Sequence, residues 1–95
     1  MPPDRVRARR LELGEHIRAA REHANLTQEA VSLRTGVRIA TISDIELGHR
    51  AALIDTLFRI ADAIGVPLAD LVREERPPLP REVQGPPGLP DPGPP

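Results

Sequence analysis

Residues 27–48 constrain the fold more than any other part of the chain, because they predict two short helices joined by one sharp turn. Thr27 is a good N-cap for a helix that begins at Gln28, since its hydroxyl can accept a hydrogen bond from the free N–H groups of the first turn. Gly36 ends that helix, because glycine adopts positive φ without a Cβ clash. The apolar side of this helix is predicted to consist of Ala30, Val31 and Leu33.

The second helix of the pair runs from about Arg38 to Leu47 and is stopped by Gly48. Ile42 and Ile45 lie three residues apart and give it an apolar face. The opposite face carries Ile39, Ala40, Ser43 and Asp44. A short helix that is fixed by a neighbour and keeps its far face free is the arrangement needed to read a DNA major groove.

Three further helices are predicted around this pair, and no strand-length alternating run occurs, so the fold class is all-α. The first helix covers about Arg10 to Ala24, or begins as early as Asp4, which could cap it. The fourth covers about Leu53 to Ile64 and the fifth covers Pro67 to Val72. The residues expected to pack inward from these helices are Leu13, Ile17, Ala20, Leu53, Leu57, Ile60, Ala61, Ile64, Val66, Leu68, Leu71 and Val72.

Composition divides the 95 residues into a basic N-terminal extension (1–10), one folding domain (11–76) and a tail (77–95). The tail holds nine prolines and three glycines, so we predict that it is disordered and partly polyproline II. No cysteine is present, which excludes disulfides and cysteine-based metal sites. No apolar run approaches ~20 residues and no secretory signal begins the chain, so a cytoplasmic protein without membrane partners is expected.

The net charge of −1 hides an uneven distribution. Four arginines against one aspartate give residues 1–10 a charge of +3, whereas residues 11–76 hold eight arginines against eleven acidic residues and carry −3. An acidic domain is unusual for a DNA-binding protein, because attraction to phosphate supplies most non-specific affinity. The basic start is interpreted as a solvated extension, with a helix extension or a flexible arm that grips DNA as the alternatives.

The chain resembles the phage-repressor and Cro-like (XRE) helix-turn-helix family, and the resemblance runs from Leu13 to Leu71 without a gap. Leu26-Thr27-Gln28-Glu29 matches the entry to that family's second helix, Gly36-Val37 its turn, and Thr41 through Gly48 its third helix and exit. The resemblance implies a five-helix Cro/repressor-like domain that binds DNA. It also implies a partly buried ion pair between Arg21 and Glu46, which would hold the third helix against the first.

The same resemblance suggests which side chains contact DNA. Phosphate contacts are expected from Gln28 at the start of the second helix, Arg38 at the start of the third, and His49 and Arg50 in the following loop. Base contacts are expected from Ile39, Ala40, Ser43 and Asp44. Asp44 departs from the family, which often has a basic or amide residue there. It could accept a hydrogen bond from cytosine N4, or could simply form an ion pair with Arg38 or Arg50.

Three functions remain open on the sequence. The first is a sequence-specific transcriptional regulator, a repressor that binds a palindromic operator as a homodimer. The second is an antitoxin that binds a toxin and represses its own operon. The third is a protein-interaction module that kept the fold without DNA binding, with its Pro-x-x-Pro tail as a ligand for another protein. No further metal-ligating residues accompany His16, His23 and His49 at the spacing of a metal site, so no metal or other cofactor is predicted. No arrangement of catalytic residues is found in the sequence, so the protein is not predicted to be an enzyme.

Overall fold

The computed structural model describes residues 3–74, which form five α-helices and no strand, as the sequence predicts. The disorder expected for residues 77–95 falls outside this range. No helix within residues 3–74 is long and apolar enough to cross a membrane. The helices are α1 (Pro3–His23), α2 (Gln28–Thr35), α3 (Ile39–Glu46), α4 (Ile54–Ile64) and α5 (Leu68–Val72).

Helix α1 begins at Pro3, seven residues before the Arg10 start favoured by the sequence. Proline suits the first turn of a helix because its missing N–H would have no partner there. Asp4 therefore lies inside the first turn and not at a cap. Its negative charge is close to the positive end of the helix dipole, which stabilises the helix. From Pro3 onward, the basic start is thus part of α1, and residues 4–9 are exposed.

The caps of the helix pair are as predicted. Thr27 has extended backbone, and its Oγ1 accepts from the Ala30 N–H at 3.0 Å. Gly36 has φ of 76°, and its N–H donates to the Ser32 carbonyl, so the chain turns immediately after α2. Gly48, also at φ of 76°, follows α3.

The aliphatic core draws buried residues from all five helices. Helix α1 packs against α3 and α5, while α2 packs against α3 and α4. The buried apolar residues are Ile17, Val31, Ile42, Ile45, Leu57, Ile60, Ala61, Ile64 and Leu71.

Three residues predicted to face inward do not, and each prediction is wrong for a geometric reason. Leu33 is 87% exposed, because it lies two residues after the buried Val31 and thus roughly 200° around α2. Leu53 is 76% exposed, because it is the extended N-cap residue of α4 rather than part of the helix. Val72 is 39% exposed, because it directly follows the buried Leu71 and so lies about 100° around α5 from it.

Close approach of α1 to the end of α3 depends on Gly14. This residue is buried, and a Cβ built on it would lie 2.3 Å from the Glu46 carbonyl oxygen and 2.5 Å from that of Ile45. Any side chain there would have to separate two backbones. Gly14 therefore sets the distance between the long first helix and the helix that carries the predicted DNA-reading face.

Candidate nucleic-acid interface

Helix α3 is buried on one side and accessible on the other. Ile42, Ile45 and Glu46 are its buried residues. Of the four residues predicted to contact bases, Ile39 and Ala40 are exposed, and Ser43 and Asp44 are partly exposed. The structure therefore leaves on the accessible side the four side chains that the sequence proposed for base contact.

An ion pair beneath α3 fixes its orientation. Arg21 Nε donates to Glu46 Oε2 at 2.7 Å and Arg21 Nη2 donates to Glu46 Oε1 at 3.0 Å, a two-pronged contact between side chains that are 12% and 3% exposed. Arg21 Nη1 also donates to the Leu26 carbonyl at 2.9 Å. The hydrogen bond to Glu46 raises the pKa of Arg21, despite the opposing effect of burial, so the guanidinium stays charged. The predicted pair is confirmed.

Gln28 adds a contact that the sequence did not reveal. Its Nε2 donates to Glu46 Oε1 at 3.1 Å, so one carboxylate joins the end of α1, the start of α2 and the end of α3. Sequence reasoning placed Gln28 only against phosphate, since nothing in the spacing of residues 18 apart indicates a hydrogen bond. The amide is held at the start of α2 before any DNA arrives.

The turn between α2 and α3 is held by hydroxyl groups. Ser32 Oγ donates to the Val37 carbonyl at 2.6 Å, while Thr35 Oγ1 donates to Val31 and accepts from the Val37 N–H. Arg34 Nη1 donates to the Ala63 carbonyl at 2.9 Å and ties α2 to the end of α4. Ser32 and Thr35 are small hydroxyl residues close to Gly36, and this is the sequence feature from which the hydroxyl contacts of the turn could have been predicted.

The charged residues at the ends of α3 differ in their environment. Arg38 is exposed and precedes α3 without a side-chain capping bond. His49 is also exposed. Arg50 Nη2 lies 3.3 Å from Asp44 Oδ2, which selects Arg50 rather than Arg38 as the partner of this carboxylate. One of the predicted phosphate-contact residues therefore pairs with the acidic residue on the face that is predicted to read DNA.

Comparison with known proteins decides the family. A family model described as helix-turn-helix matches residues 17–71, which is more than half of the chain. The chain belongs to this family. The matched range of this helix-turn-helix protein includes Arg21, Glu46 and the whole accessible face of α3. The XRE-type resemblance is confirmed, and the protein is assigned to the DNA-binding transcriptional regulators as a class.

One similar protein agrees with this assignment, and one solved structure shares the fold. Over 60 residues the helix-turn-helix protein is 35% identical to one described as an uncharacterized HTH-type transcriptional regulator, y4dJ, from Sinorhizobium fredii (strain NBRC 101917 / NGR234). That match covers 63% of this chain and 78% of the relative. The fold is similar to that of the restriction-modification controller protein C.AhdI from Aeromonas hydrophila, with a TM-score of 0.66 and 22% identity over 68% of this chain and 94% of that one.

Proposed function

We propose that this helix-turn-helix protein is a sequence-specific repressor that binds a palindromic operator as a homodimer. The observation that carries the proposal is the accessible face of α3, held rigid from below by the buried Arg21–Glu46 pair. The 35% identity to a protein described as a transcriptional regulator supports it. A recognition helix needs this preorganisation, because side chains must meet base edges in a fixed register.

The proposed contacts follow from the chemistry of each side chain. Ile39 and Ala40 offer only apolar contact, which suits a thymine methyl group, whereas Ser43 can donate or accept. Phosphate contacts are assigned to Gln28, Arg38, His49 and Arg50. Among these, Gln28 already donates one N–H to Glu46, so its amide is positioned and its other N–H is available for a phosphate oxygen.

The acidic residue on this face argues less strongly against DNA binding than the sequence suggested. Asp44 is paired with Arg50 and its side chain is 40% exposed, so solvent and the guanidinium both reduce its repulsion of phosphate. A carboxylate on this face would favour the protein-interaction alternative if it repelled DNA strongly. With the charge paired, the accessible face of α3 favours DNA.

The decisive experiment measures binding of the full chain to fragments of its own genome while the salt concentration is varied. We expect preferred fragments that contain two symmetric half-sites about 34–36 Å apart, one helical turn, above a salt-sensitive background. Absence of binding to every fragment even at low salt would contradict the proposed function. Equal binding to all fragments would contradict the sequence-specific part of it.

Dimer formation is assigned to the exposed apolar side chains at the start of α4. Ile54 and Phe58 lie one turn apart and are 53% and 47% exposed, next to Leu53 at 76%. Asp55 and Arg59 are exposed on the same helix. In a two-fold contact between antiparallel α4 helices, Asp55 of one copy can face Arg59 of the other. The same surface therefore offers both apolar contact and matching charges to a second copy.

Phe58→Glu is expected to convert the dimer into a monomer without unfolding it, because a charge is placed in the contact while the buried side of α4 is untouched. Sedimentation would show the change in mass, and circular dichroism would show retained helix. Leu33→Glu is the matched control, since Leu33 is 87% exposed on α2. A monomeric wild-type protein on operator DNA, or a Phe58→Glu dimer, would contradict this assignment.

Asp44→Asn is expected to raise affinity for specific and non-specific DNA together. The substitution removes a negative charge and frees Arg50 from its ion pair, which strengthens the phosphate contact assigned to Arg50. The gain should be largest at low salt, where the repulsion between Asp44 and phosphate is least screened. Binding titrations at two salt concentrations would measure it. Asp62→Asn on α4 is the control, because it removes the same charge from an exposed position on a different helix.

The opposite result would give Asp44 a different role. If it accepts a hydrogen bond from cytosine, Asp44→Asn should weaken specific binding by ~1–3 kcal/mol and relax the preference at that base pair, with little change in non-specific affinity. The two roles therefore predict changes of opposite sign on the same operator.

A further inference from the structure

The helical extension of α1 carries arginines on two opposite faces. Residues three, four and seven apart share a face of a helix, so Arg7, Arg10 and Leu11 lie in line with the buried Gly14. Arg5 and Arg9 lie on the opposite face. We propose that Arg7 and Arg10, which lie beside His49, form a second phosphate-binding site for the DNA backbone that adds to the contacts assigned to the helix-turn-helix and its following loop.

Packing brings the first of these faces to the loop that follows α3. Leu11 lies against Gly48, where an added Cβ would come within 2.7 Å of Leu11 Cδ2. An open cleft of about 550 Å³ lies here, and its lining consists of Arg7, Arg10, Leu11, Leu47, Gly48 and His49. The arginines of the extension are therefore held beside the loop whose next residue is Arg50, one of the assigned phosphate-contact residues.

The charge of this cleft suits an anion. Its lining includes two arginines and no carboxylate. Within residues 3–74, no ion pair or hydrogen bond engages the side chains of Arg7, Arg10 or His49. Arg9 on the opposite face is different, because it lies 3.1 Å from Glu74 and 3.7 Å from Glu12.

DNA is the anion that fits these observations best. The cleft is open, and its donors are spread along one turn of α1 and onto the neighbouring loop, as needed to follow a row of phosphates rather than to enclose a single one. The chain carries a net charge of −1, so a patch of unpaired arginines contiguous with the DNA-reading helix adds long-range attraction that the acidic remainder lacks. This inference rests on the proposed function.

The test compares the salt dependence of DNA binding in the full-length wild type, in the double variant Arg7→Gln/Arg10→Gln, and in Arg5→Gln. Glutamine preserves helix formation, so circular dichroism should be unchanged in all three proteins. We expect the double variant to reduce the slope of log K against log salt by ~1.8, at ~0.9 for each lost phosphate contact, and Arg5→Gln to leave it nearly unaltered. Sequence preference should stay the same, because phosphate contacts carry no base information.

Each other outcome has a distinct meaning. Equal slopes for the double variant and Arg5→Gln, with normal wild-type binding, would overturn the second phosphate site and leave the proposed function intact. A wild type that binds no DNA at low salt would overturn the proposed function itself. If the wild type bound inorganic phosphate and the double variant did not, while both gave the same salt slope with DNA, the cleft would be a site for free phosphate and not for the DNA backbone.

Discussion

Gly14→Ala should destabilise the domain strongly, although alanine is the better helix former. In an unobstructed helix this change would stabilise by roughly 0.5–1 kcal/mol. Here the new methyl group would lie 2.3 Å and 2.5 Å from two carbonyl oxygens of α3. Neither oxygen belongs to a side chain that can rotate away, so α1 and α3 must move apart. Overpacking costs about 1–3 kcal/mol, and a clash with backbone belongs at the upper end.

Thermal unfolding provides the measurement. A loss near 3 kcal/mol corresponds to a decrease in Tm of about 12–24 °C for a domain of this size. Gly36→Ala is the control, because nothing lies within 4 Å of a Cβ there and its cost arises only from the positive φ of 76°. We expect Gly14→Ala to lower the Tm by more than Gly36→Ala does. A Tm that rises in Gly14→Ala would show that α1 does not pack this closely on α3.

The boundaries of α2 could be predicted because their signals are local. Thr27 and Gly36 act through the backbone of their own turn, so a residue type and its position are sufficient to place them. The start of α1 has no comparably sharp signal. Several residues between Asp4 and Arg10 are compatible with helix, and only the continuous helix in the structure shows that Pro3 begins it.

Contacts between elements could be predicted only in part. The pairing of Arg21 with Glu46 came from the family resemblance, since no periodicity connects residues 25 apart in sequence. The exposure of Leu33 depends on which side of α2 meets α4. Short helices leave that choice open, because two apolar residues on opposite sides are both compatible with a helical period.

In the candidate interface, too, some features could be predicted from the sequence and others could not. Helical spacing placed Ile39, Ala40, Ser43 and Asp44 on the side of α3 opposite its core residues, and the structure leaves that side accessible. Whether Asp44 pairs with Arg38 or with Arg50 depends on the path of the loop after Gly48, which no residue pattern specifies.

Glu46→Ala should have the largest effect of any single substitution in the interface, on stability and on DNA binding together. It removes both hydrogen bonds from Arg21, whose side chain is 12% exposed, and the acceptor of the Gln28 amide. Loss of one partner from a buried ion pair costs about 3–5 kcal/mol, a large share of the ~5–15 kcal/mol that stabilises a domain. Glu22→Ala is the matched control. Its partner, Arg18, forms an exposed pair worth ~0.3–0.5 kcal/mol.

A double variant separates stability from positioning. In Arg21→Met/Glu46→Leu no buried charge remains, and replacing both members of a buried pair by apolar residues is often neutral or stabilising. We expect thermal unfolding near that of the wild type, yet weaker DNA binding, because Gln28 loses its fixed position and α3 loses its two-pronged contact with α1. If the double variant is as unstable as Glu46→Ala, shape rather than charge explains the loss. If it binds the operator like the wild type, the pair stabilises the domain without orienting the face of α3 that reads DNA.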